Sequence, residues 1–158
     1  DHRDLHLSIR RQRQMCIRDR PLVIGGIFFP NETGLDGHSD GDVVTHAVID
    51  AMLGAAGLGD IGQNFPDTSE QFGGANSLDL LRQAAAMVRD AGWVLVNADC
   101  TVITDTPQIA PVKDEMEENL SNAAGGVVTV CGKRTEGIGA LGRGEGVVAI
   151  AVALLEQK

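Results

Sequence analysis

Two histidines eight residues apart mark the stretch of the chain best suited to chemistry. His38 and His46 both lie in HSDGDVVTHAVID, which also contains aspartates and a glycine. The pattern predicts a helix capped by Asp40 or Asp42, with His46 one turn inside it and Asp50 on the same face. His38 then lies near N-terminal amides that attract anions. The stretch indicates either a metal and phosphate site or a capped helix with packed histidines.

Three further loops carry residues suited to binding a phosphate, a cation or a base. GDIGQNFPDTSE holds Asp60 and Asp67 at a turn whose amides can bind a phosphate, although an ordinary Asx-rich loop is an equal alternative. GKRTEGIGALGRGEG places Lys133 and Arg143 among glycines, with Glu136 able to hold magnesium against a diphosphate. TDTPQIAP joins a strand to a helix and can present backbone groups to a nucleobase, or be a plain connection.

The composition predicts one small α/β domain that handles anions with the help of metal ions. The chain has 158 residues, 43% hydrophobic and 3% aromatic, and a net charge of −9. So acidic a chain is a poor nucleic-acid partner, and divalent cations must supply positive charge for an anionic ligand. No apolar run reaches the length of a membrane span. Three widely spaced cysteines, Cys16, Cys100 and Cys131, favour a reduced, cytoplasmic setting.

The order of elements predicts a single-domain sandwich of one mixed β-sheet backed by helices. The expected elements are a strand at 21–30 hinged at glycines 25 and 26, a helix from 42 to about 57, a helix starting at 76 or 77, a strand at 93–104, a helix at 111–124, a strand at 127–132 and a final buried strand. The turn-rich segment 58–75 is long enough to be functional or mobile.

The first twenty residues read as an aberrant segment in front of a domain covering residues 21–158. LSIRRQRQMCIRDR shows no stable helix or strand period and is rich in arginine. One interpretation is a solvated basic arm. The other is foreign sequence from about residue 7 to residue 20, since QMCIRDR back-translates to CAGATGTGTATAAGAGACAG plus one base, a transposon end used in preparing sequencing libraries.

Taken in order, several motifs resemble those of the 2-C-methyl-D-erythritol 2,4-cyclodiphosphate synthase family. The matching pieces are PLVIGG, HSDGDVVTHAVIDAMLGAAGLGDIG, FPDT, NADCTVITDTP and TEGIGALGRGEG. The resemblance implies an α/β homotrimer with sites between subunits, using zinc and magnesium. It also implies release of CMP from 4-diphosphocytidyl-2-C-methyl-D-erythritol 2-phosphate, forming the cyclodiphosphate of the non-mevalonate isoprenoid pathway.

The resemblance also assigns roles to positions of this chain. His46 matches a zinc ligand, Asp4 and His6 fit the Asp-x-His element that supplies two more if the segment between them and Pro21 loops out, and Glu136 is a magnesium ligand. The implied catalytic residues are Lys133, Thr135 and Glu136. The implied substrate-binding residues are His38, Ser39, Asp60, Gly62, Phe65, Pro66, Asp67, Thr68, Ser69, Thr104, Pro107, Gln108 and Arg143.

The chain departs from the family pattern at several of these positions. Gln108 stands where a lysine is common, Ala140 where an aromatic is common, and a threonine-rich stretch keeps only Thr135 and Glu136. Two alternatives remain open: a catalytically impaired nucleotide-binding trimer that has lost its zinc site, and an unrelated metallohydrolase. The second lacks an HExxH motif or an equivalent water-activating base.

Overall fold

The protein is built on a five-stranded mixed β-sheet. The computed structural model describes residues 4–158, with all side chains except those of residues 18 and 19. The strands are β1 (Leu5–Ile24), β2 (Ile27–Leu35), β3 (Trp93–Ile103), β4 (Val127–Lys133) and β5 (Gly146–Gln157). Their order is β2-β1-β5-β3-β4, and β3 pairs with β4 in parallel while the other neighbouring strands are antiparallel. The predicted mixed sheet is confirmed.

Helices cover one face of this sheet. They are α1 (Val43–Ala55), the single turn α2 (Ile61–Asn64), α3 (Ser77–Asp90), α4 (Lys113–Ala124) and the single turn α5 (Gly139–Gly142). Helix α1 packs on β1, β5 and β3, α4 packs on β4, and α3 packs against both α1 and α4. The sheet and the helices therefore form one α/β sandwich with a shared aliphatic core.

Helix α1 is the central helix of the core and is anchored by its cap. Almost all of its residues are buried, because it lies between the sheet and α3. The buried carboxylate of Asp42 accepts hydrogen bonds from the backbone N–H of Gly25 (2.7 Å), Gly26 (2.7 Å) and Thr45 (3.0 Å), and from the Thr45 hydroxyl (2.7 Å). One side chain thus caps the helix and fixes the β1–β2 hinge against it.

The hinge itself requires glycine. Gly25 has a φ of 57°, and a Cβ there would lie 2.2 Å from Cγ of Met116 on α4. The predicted hinge is confirmed, but β2 continues past Pro30 to Leu35, where the pattern predicted a strand end at Pro30. Since β2 is an edge strand of this sheet, the missing N–H of Pro30 is tolerated.

The prediction that residues 7–20 form no strand is wrong. Residues 5–15 pair antiparallel with β5, from Leu5 opposite Glu156 to Met15 opposite Gly146, and the rest of β1 pairs with β2. A strand in a sheet is held by main-chain hydrogen bonds to its partner strand. A polar sequence without a strand period can therefore still form a strand. Residues 1–3 of the predicted segment lie outside the described residues, and its foreign origin stays a prediction.

The other predicted elements are confirmed within one or two residues. Asn76 caps α3 by accepting a hydrogen bond from the N–H of Leu78, as the alternative of Asn76 or Ser77 allowed. The predicted helix at 111–124 begins as a 3₁₀ turn, Ala110–Val112, that leads into α4. The predicted final strand corresponds to β5.

The face of the sheet away from the helices is open and partly apolar. The side chains of Leu5, Leu7, Ile9 and Met15 on β1 are each more than half exposed. On the neighbouring β5, alternate residues point to the same face and are only half-buried, whereas Ala149, Ala151, Ala153 and Leu155 on the helix side are buried. Within the described residues, we find no helix of the length and apolarity that crossing a bilayer requires.

Candidate functional site

The buried histidine of α1 is the centre of a polar cluster. Nε2 of His46 lies 2.9 Å from the hydroxyl oxygen of Ser39 and 2.8 Å from that of Ser77. Its Nδ1 faces β1, where Nε2 of the Gln14 side chain is 3.3 Å away. Ser39 precedes α1 and Ser77 begins α3, so three separate elements enclose one imidazole.

Burial controls the charge of this imidazole. It lowers the pKa of His46, against the opposing effect of the carboxylates of Asp42, Asp40 and Asp50, which favour the charged form. Because burial is the larger effect, His46 is neutral at physiological pH. A neutral imidazole keeps one ring nitrogen free to accept a hydrogen bond or to bind a metal.

Two glutamines of β1 face α1 beside this histidine. Gln12 and Gln14 alternate with exposed residues, so both side chains point to the helix side of the strand. The Gln12 amide donates to the carboxylate of Asp50, which also accepts from the N–H of Ile61 at 2.7 Å. The Gln14 oxygen Oε1 is buried and has no hydrogen-bond partner. The pair therefore fills the space opposite His46 with amides, one of them incompletely satisfied.

Zinc does not fit this donor set. Structural and catalytic zinc sites use thiolate, imidazole and carboxylate ligands, with at least three from the protein. Among the side chains that the structure describes, no three of His, Cys, Asp or Glu come close enough together to hold a metal ion. His46 and Asp50 face amide groups where further ligands would be needed, and neutral amides are poor partners for zinc.

The structure does not bring Asp4 and His6 to His46. Nδ1 of His6 lies 2.9 Å from the carbonyl oxygen of Ala55, and its ring is 4.1 Å from that of Trp93. Ala55 is at the far end of α1, about 13 Å along the helix axis from His46. The carbonyl of Asp4 accepts from the N–H of Gln157. The looped-out arrangement predicted for Asp4 and His6 is wrong, because the intervening residues are extended in β1.

Several predicted substrate-binding residues do line one pocket next to His46. This cavity has a volume of about 220 Å³, and its walls include His38, Ser39, Gly62, Phe65 and Asp67. Nε2 of His38 lies 2.9 Å from the carbonyl oxygen of Ser69, which ties the two loops together. Pro66 and Thr68 belong to the same loop.

Asp60 has a different position from the one its predicted role suggests. Its carboxylate caps α2 by accepting from the N–H of Gln63 at 2.9 Å. It borders a separate cavity that also includes Arg10 and Arg11 of β1. Asp60 is therefore a helix cap beside the His46 pocket rather than part of its wall.

The predicted nucleotide and phosphate residues line two other cavities. One, of about 370 Å³, includes Thr104, Pro107, Gln108 and Lys133. The other, of about 350 Å³, includes Thr104 and Arg143. Thr104 borders both, so the loop after β3 separates two pockets. Thr135 and Glu136 follow Lys133 in the loop after β4, at the edge of this region.

Asp105 joins these two loops. Its carboxylate accepts from the N–H of Thr135 at 2.6 Å, the Thr135 hydroxyl at 2.9 Å and the N–H of Gly137 at 2.8 Å. The hydrogen bond from the Thr135 N–H is the largest cause of a lowered pKa for Asp105, helped by the Thr135 hydroxyl, the Gly137 N–H and the charge of Arg134. The loop after β3 is thereby tied to the loop after β4.

Sequence reasoning missed Gln12, Gln14, Ser77 and Asp105 as members of the site. For the glutamines a signal existed, because Q-x-Q has the two-residue period of a strand face. Ser77 was visible as a helix cap, but its contact with His46 spans 31 residues. Asp105 lay inside a predicted loop, and nothing local shows that its partners are Thr135 and Gly137.

The fold and its pockets define a small α/β protein whose loops line several cavities with polar and charged side chains. A model of the YgbB family matches residues 6–156, and the chain belongs to this family. The resemblance found from the motifs is confirmed. The match includes most of β1, so the family's alignment extends across the segment from residue 7 to residue 20.

Curated relatives share about half of their residues with this chain. It is 51% identical over 144 residues to the 2-C-methyl-D-erythritol 2,4-cyclodiphosphate synthase of Chromobacterium violaceum, covering 89% of this chain and 91% of that protein. It is 52% identical over 155 residues to the synthase of the same name from Paraburkholderia phymatum, covering 96% and 98%.

Solved structures show the same fold. The bifunctional IspDF of Campylobacter jejuni matches with a TM-score of 0.93 and 35% identity over 99% of this chain, which spans 43% of that longer protein. A 2C-methyl-D-erythritol-2,4-cyclodiphosphate synthase in its CDP-bound form matches with a TM-score of 0.84 and 34% identity, over 94% of this chain and 99% of that one.

Proposed function

We propose that this chain converts 4-diphosphocytidyl-2-C-methyl-D-erythritol 2-phosphate to 2-C-methyl-D-erythritol 2,4-cyclodiphosphate with release of CMP, a step in the making of isoprenoid precursors. The observation that carries the proposal is the identity of 52% to a synthase of this name over 155 residues. The loops that would contact a substrate lie within the matched range, and they line cavities large enough for its parts.

The reaction needs no strong base. An oxygen of the substrate's own 2-phosphate attacks the β-phosphorus of the diphosphate and forms a new P–O bond. The bond from that phosphorus to the oxygen of CMP breaks, and CMP leaves with the electron pair as a phosphate anion. The nucleophile is already charged, so catalysis consists of holding the two phosphates in line and neutralising their charge.

The loops divide this work between them. The loop Thr104–Gln108 would hold the cytidine, while the pocket of His38 and Ser39 would hold the methylerythritol end. Lys133 would bring positive charge to the phosphates, as would Arg143, which pairs with Glu145 at 2.6 Å in the absence of a ligand. These charges would stabilise the charge that builds up during transfer. Thr135 would add a hydroxyl contact beside Lys133.

Magnesium fits the position of Glu136. The Glu136 side chain is exposed, and within the described part of the chain its carboxylate forms no hydrogen bond or ion pair. Magnesium is typically held by one or two carboxylates and completed by substrate phosphates and water. When bound, the ion would neutralise the diphosphate. Zinc has no such position, since the amides that β1 presents to His46 and Asp50 do not suit it.

We expect the active form to be a homotrimer in the cytoplasm. The open sheet face supports an assembly of copies, because Leu5, Leu7 and Ile9 form an exposed apolar row on β1. Sedimentation of the chain beside the variant Leu7→Glu, Ile9→Glu tests this expectation: the charged variant should dissociate. Unchanged sedimentation of the variant would argue against this face as the interface.

The proposed reaction is tested by measuring CMP release from the cytidylyl substrate in the presence of magnesium. Lys133→Ala should lower kcat about a hundredfold, because one fixed charge at the reacting phosphates is lost. Lys158→Ala, at the end of the chain, is the matched control and should retain the parent rate. Binding of CMP by the parent chain without any turnover would contradict the proposed reaction.

A further inference from the structure

Glu136 has an unusual backbone for its residue type. Its φ is 55°, and it is the only residue other than glycine with a positive φ in the described part of the chain. The left-handed region costs an ordinary residue about 1–2 kcal/mol. Such a conformation persists where the surrounding structure enforces it, so neighbouring contacts must hold Glu136 in place.

The contacts that hold it come from Asp105. Two of its bonds are to backbone N–H groups, one on the residue before Glu136 and one on the residue after it, and a third is to the Thr135 hydroxyl. One carboxylate therefore spans Glu136 and fixes the peptide groups on both sides. These are charge-assisted hydrogen bonds, the stronger kind in proteins.

Asp105 is itself rigidly placed. It lies two residues after the end of β3, and β3 pairs in parallel with β4 as far as Ile103 opposite Lys133. The pairing extends one step further, because the N–H of Thr104 donates to the carbonyl of Lys133 at 3.0 Å. Asp105 is thus held by the sheet, and its hydrogen bonds fix the start of the glycine-rich loop after β4 relative to the sheet.

The two loops joined in this way border the same cavity. The loop after β3 contributes Thr104, Pro107 and Gln108 to its lining. Lys133, the last residue of β4, and Arg134, the first residue of the loop after it, also line this cavity. The Asp105 carboxylate accepts hydrogen bonds from Thr135 and Gly137, while the Glu136 side chain is exposed, two residues after Arg134 of the cavity lining. A carboxylate held but not paired is suited to a cation that arrives with a ligand.

We propose that Asp105 positions Glu136, so that the loop after β3 and the loop after β4 act as one unit that receives the magnesium-bound diphosphate of a cytidine nucleotide. This inference rests on the proposed function and adds a positioning residue to it. Asp105 also lines the cavity, but its carboxylate oxygens accept from Thr135 and Gly137, so it acts through Glu136. Loss of Asp105 and loss of the Glu136 carboxylate must then have the same effect.

The test measures CDP binding by calorimetry with and without magnesium. In the parent chain, magnesium should strengthen CDP binding. Asp105→Ala and Glu136→Gln should each remove about tenfold of this strengthening, while metal-free CDP affinity changes less than twofold. The double variant should match the Glu136→Gln single variant, since both changes act on one carboxylate. Asp105→Asn, which keeps one acceptor oxygen, should fall between the parent and Asp105→Ala.

Asp79→Ala is the matched control for removal of a surface carboxylate. Asp79 pairs with Arg82 on the exposed side of α3, away from these loops, and its loss should leave the magnesium effect intact. Amide exchange supplies a second readout, because the N–H of Gly137 should exchange about tenfold faster in Asp105→Ala. If Asp105→Ala folds poorly, Thr135→Val takes its place. This variant removes only the hydroxyl bond to Asp105, so the magnesium effect on CDP binding should fall by less than tenfold.

The outcomes separate this inference from the proposed reaction. An undiminished magnesium effect in a folded Asp105→Ala variant overturns the positioning role, as does additivity of the two single variants. Magnesium-strengthened CDP binding that depends on Asp105, with no CMP release by the parent chain, supports the role and overturns the proposed reaction alone. No CDP binding by the parent chain overturns both.

Discussion

The pocket around His46 and the loop unit around Asp105 show opposite combinations of framework and chemistry. His46 lies on a fully packed helix. The carboxylate of its cap, Asp42, accepts hydrogen bonds from the backbone N–H groups around it. Yet the groups that face its ring from β1 are amides, one with an orphaned oxygen. Asp105 lies near the surface, in a loop among glycines, and its carboxylate makes a complete set of contacts.

The difference shows that a stable framework does not by itself complete a site. Helix α1 places His46 and Asp50 correctly whatever faces them, because core packing determines the helix. The residues opposite are set by the sequence of β1, whose main-chain pairing tolerates many side chains. The chemistry of this pocket therefore depends on two positions, Gln12 and Gln14, that contribute little to the fold.

The largest effect should come from changing those two positions. The double substitution Gln12→Asp, Gln14→His places a carboxylate and an imidazole opposite His46, which gives a three-ligand set for zinc. We expect zinc affinity to rise on the order of a thousandfold, measured by competition with a chromogenic chelator.

The triple variant with His46→Ala in addition is the control for that experiment and should lose the gain. Stoichiometric zinc in the parent chain, held as tightly as in the double variant, would show that the glutamines do not exclude the metal.

The next largest effect should be the difference in stability between variants of Asp42 and of Asp105. Asp42→Ala leaves up to four buried donors without an acceptor, so we expect a loss of at least about 3 kcal/mol in the free energy of unfolding by urea. Asp60→Ala, an exposed cap, should cost about 1 kcal/mol. Asp105→Ala should lower the urea midpoint much less than Asp42→Ala does, since its bonds order a surface loop. Equal losses at Asp42 and Asp105 would remove the distinction between the two regions.

Relief of the backbone strain at Glu136 should have a smaller effect, which is opposite in sign for stability and for ligand binding. Glu136→Gly relieves the positive φ, so stability should rise by about 1 kcal/mol while magnesium-dependent CDP binding falls. Glu136→Ala is the control, because it removes the carboxylate and keeps the strain. A glycine variant no more stable than the alanine variant would show that the loop holds no strain.

The smallest change is expected at the orphaned amide. Gln14→Met removes a buried oxygen without a partner, but it also removes the contact of the amide with Nδ1 of His46. These two effects oppose each other, and the free energy of unfolding should change by less than about 1 kcal/mol. A loss of several kcal/mol would mean that the glutamine amide is a firm part of the His46 cluster.

Much of the fold and part of the site could be predicted from local patterns. The caps at Asp42 and Asn76, the hinge at Gly25 and the amphipathic α3 involve residues within a few positions of each other, or an apolar period that shows directly in the chain. The substrate-binding residues around His38 and Phe65 were found through motif resemblance, and the structure places both beside His46. Their role in binding stays a prediction.

Contacts between distant parts of the chain could not be predicted in the same way. Residues 7–20 have no strand period, and their pairing with β5 is decided by a partner strand more than a hundred residues away. The expected position of Asp4 and His6 failed for this reason, since it required the segment to loop out.

The sequence by itself determined α1 and its cap, the glycine hinge and the family to which the chain belongs. Each of these depends on neighbouring residues or on a motif read in order. Only the tertiary structure decided that Gln12 faces Asp50, that Gln14 faces His46 and that Asp105 holds both sides of Glu136. Those contacts depend on strand register, in which a shift of one residue would turn every side chain of the strand to the other face.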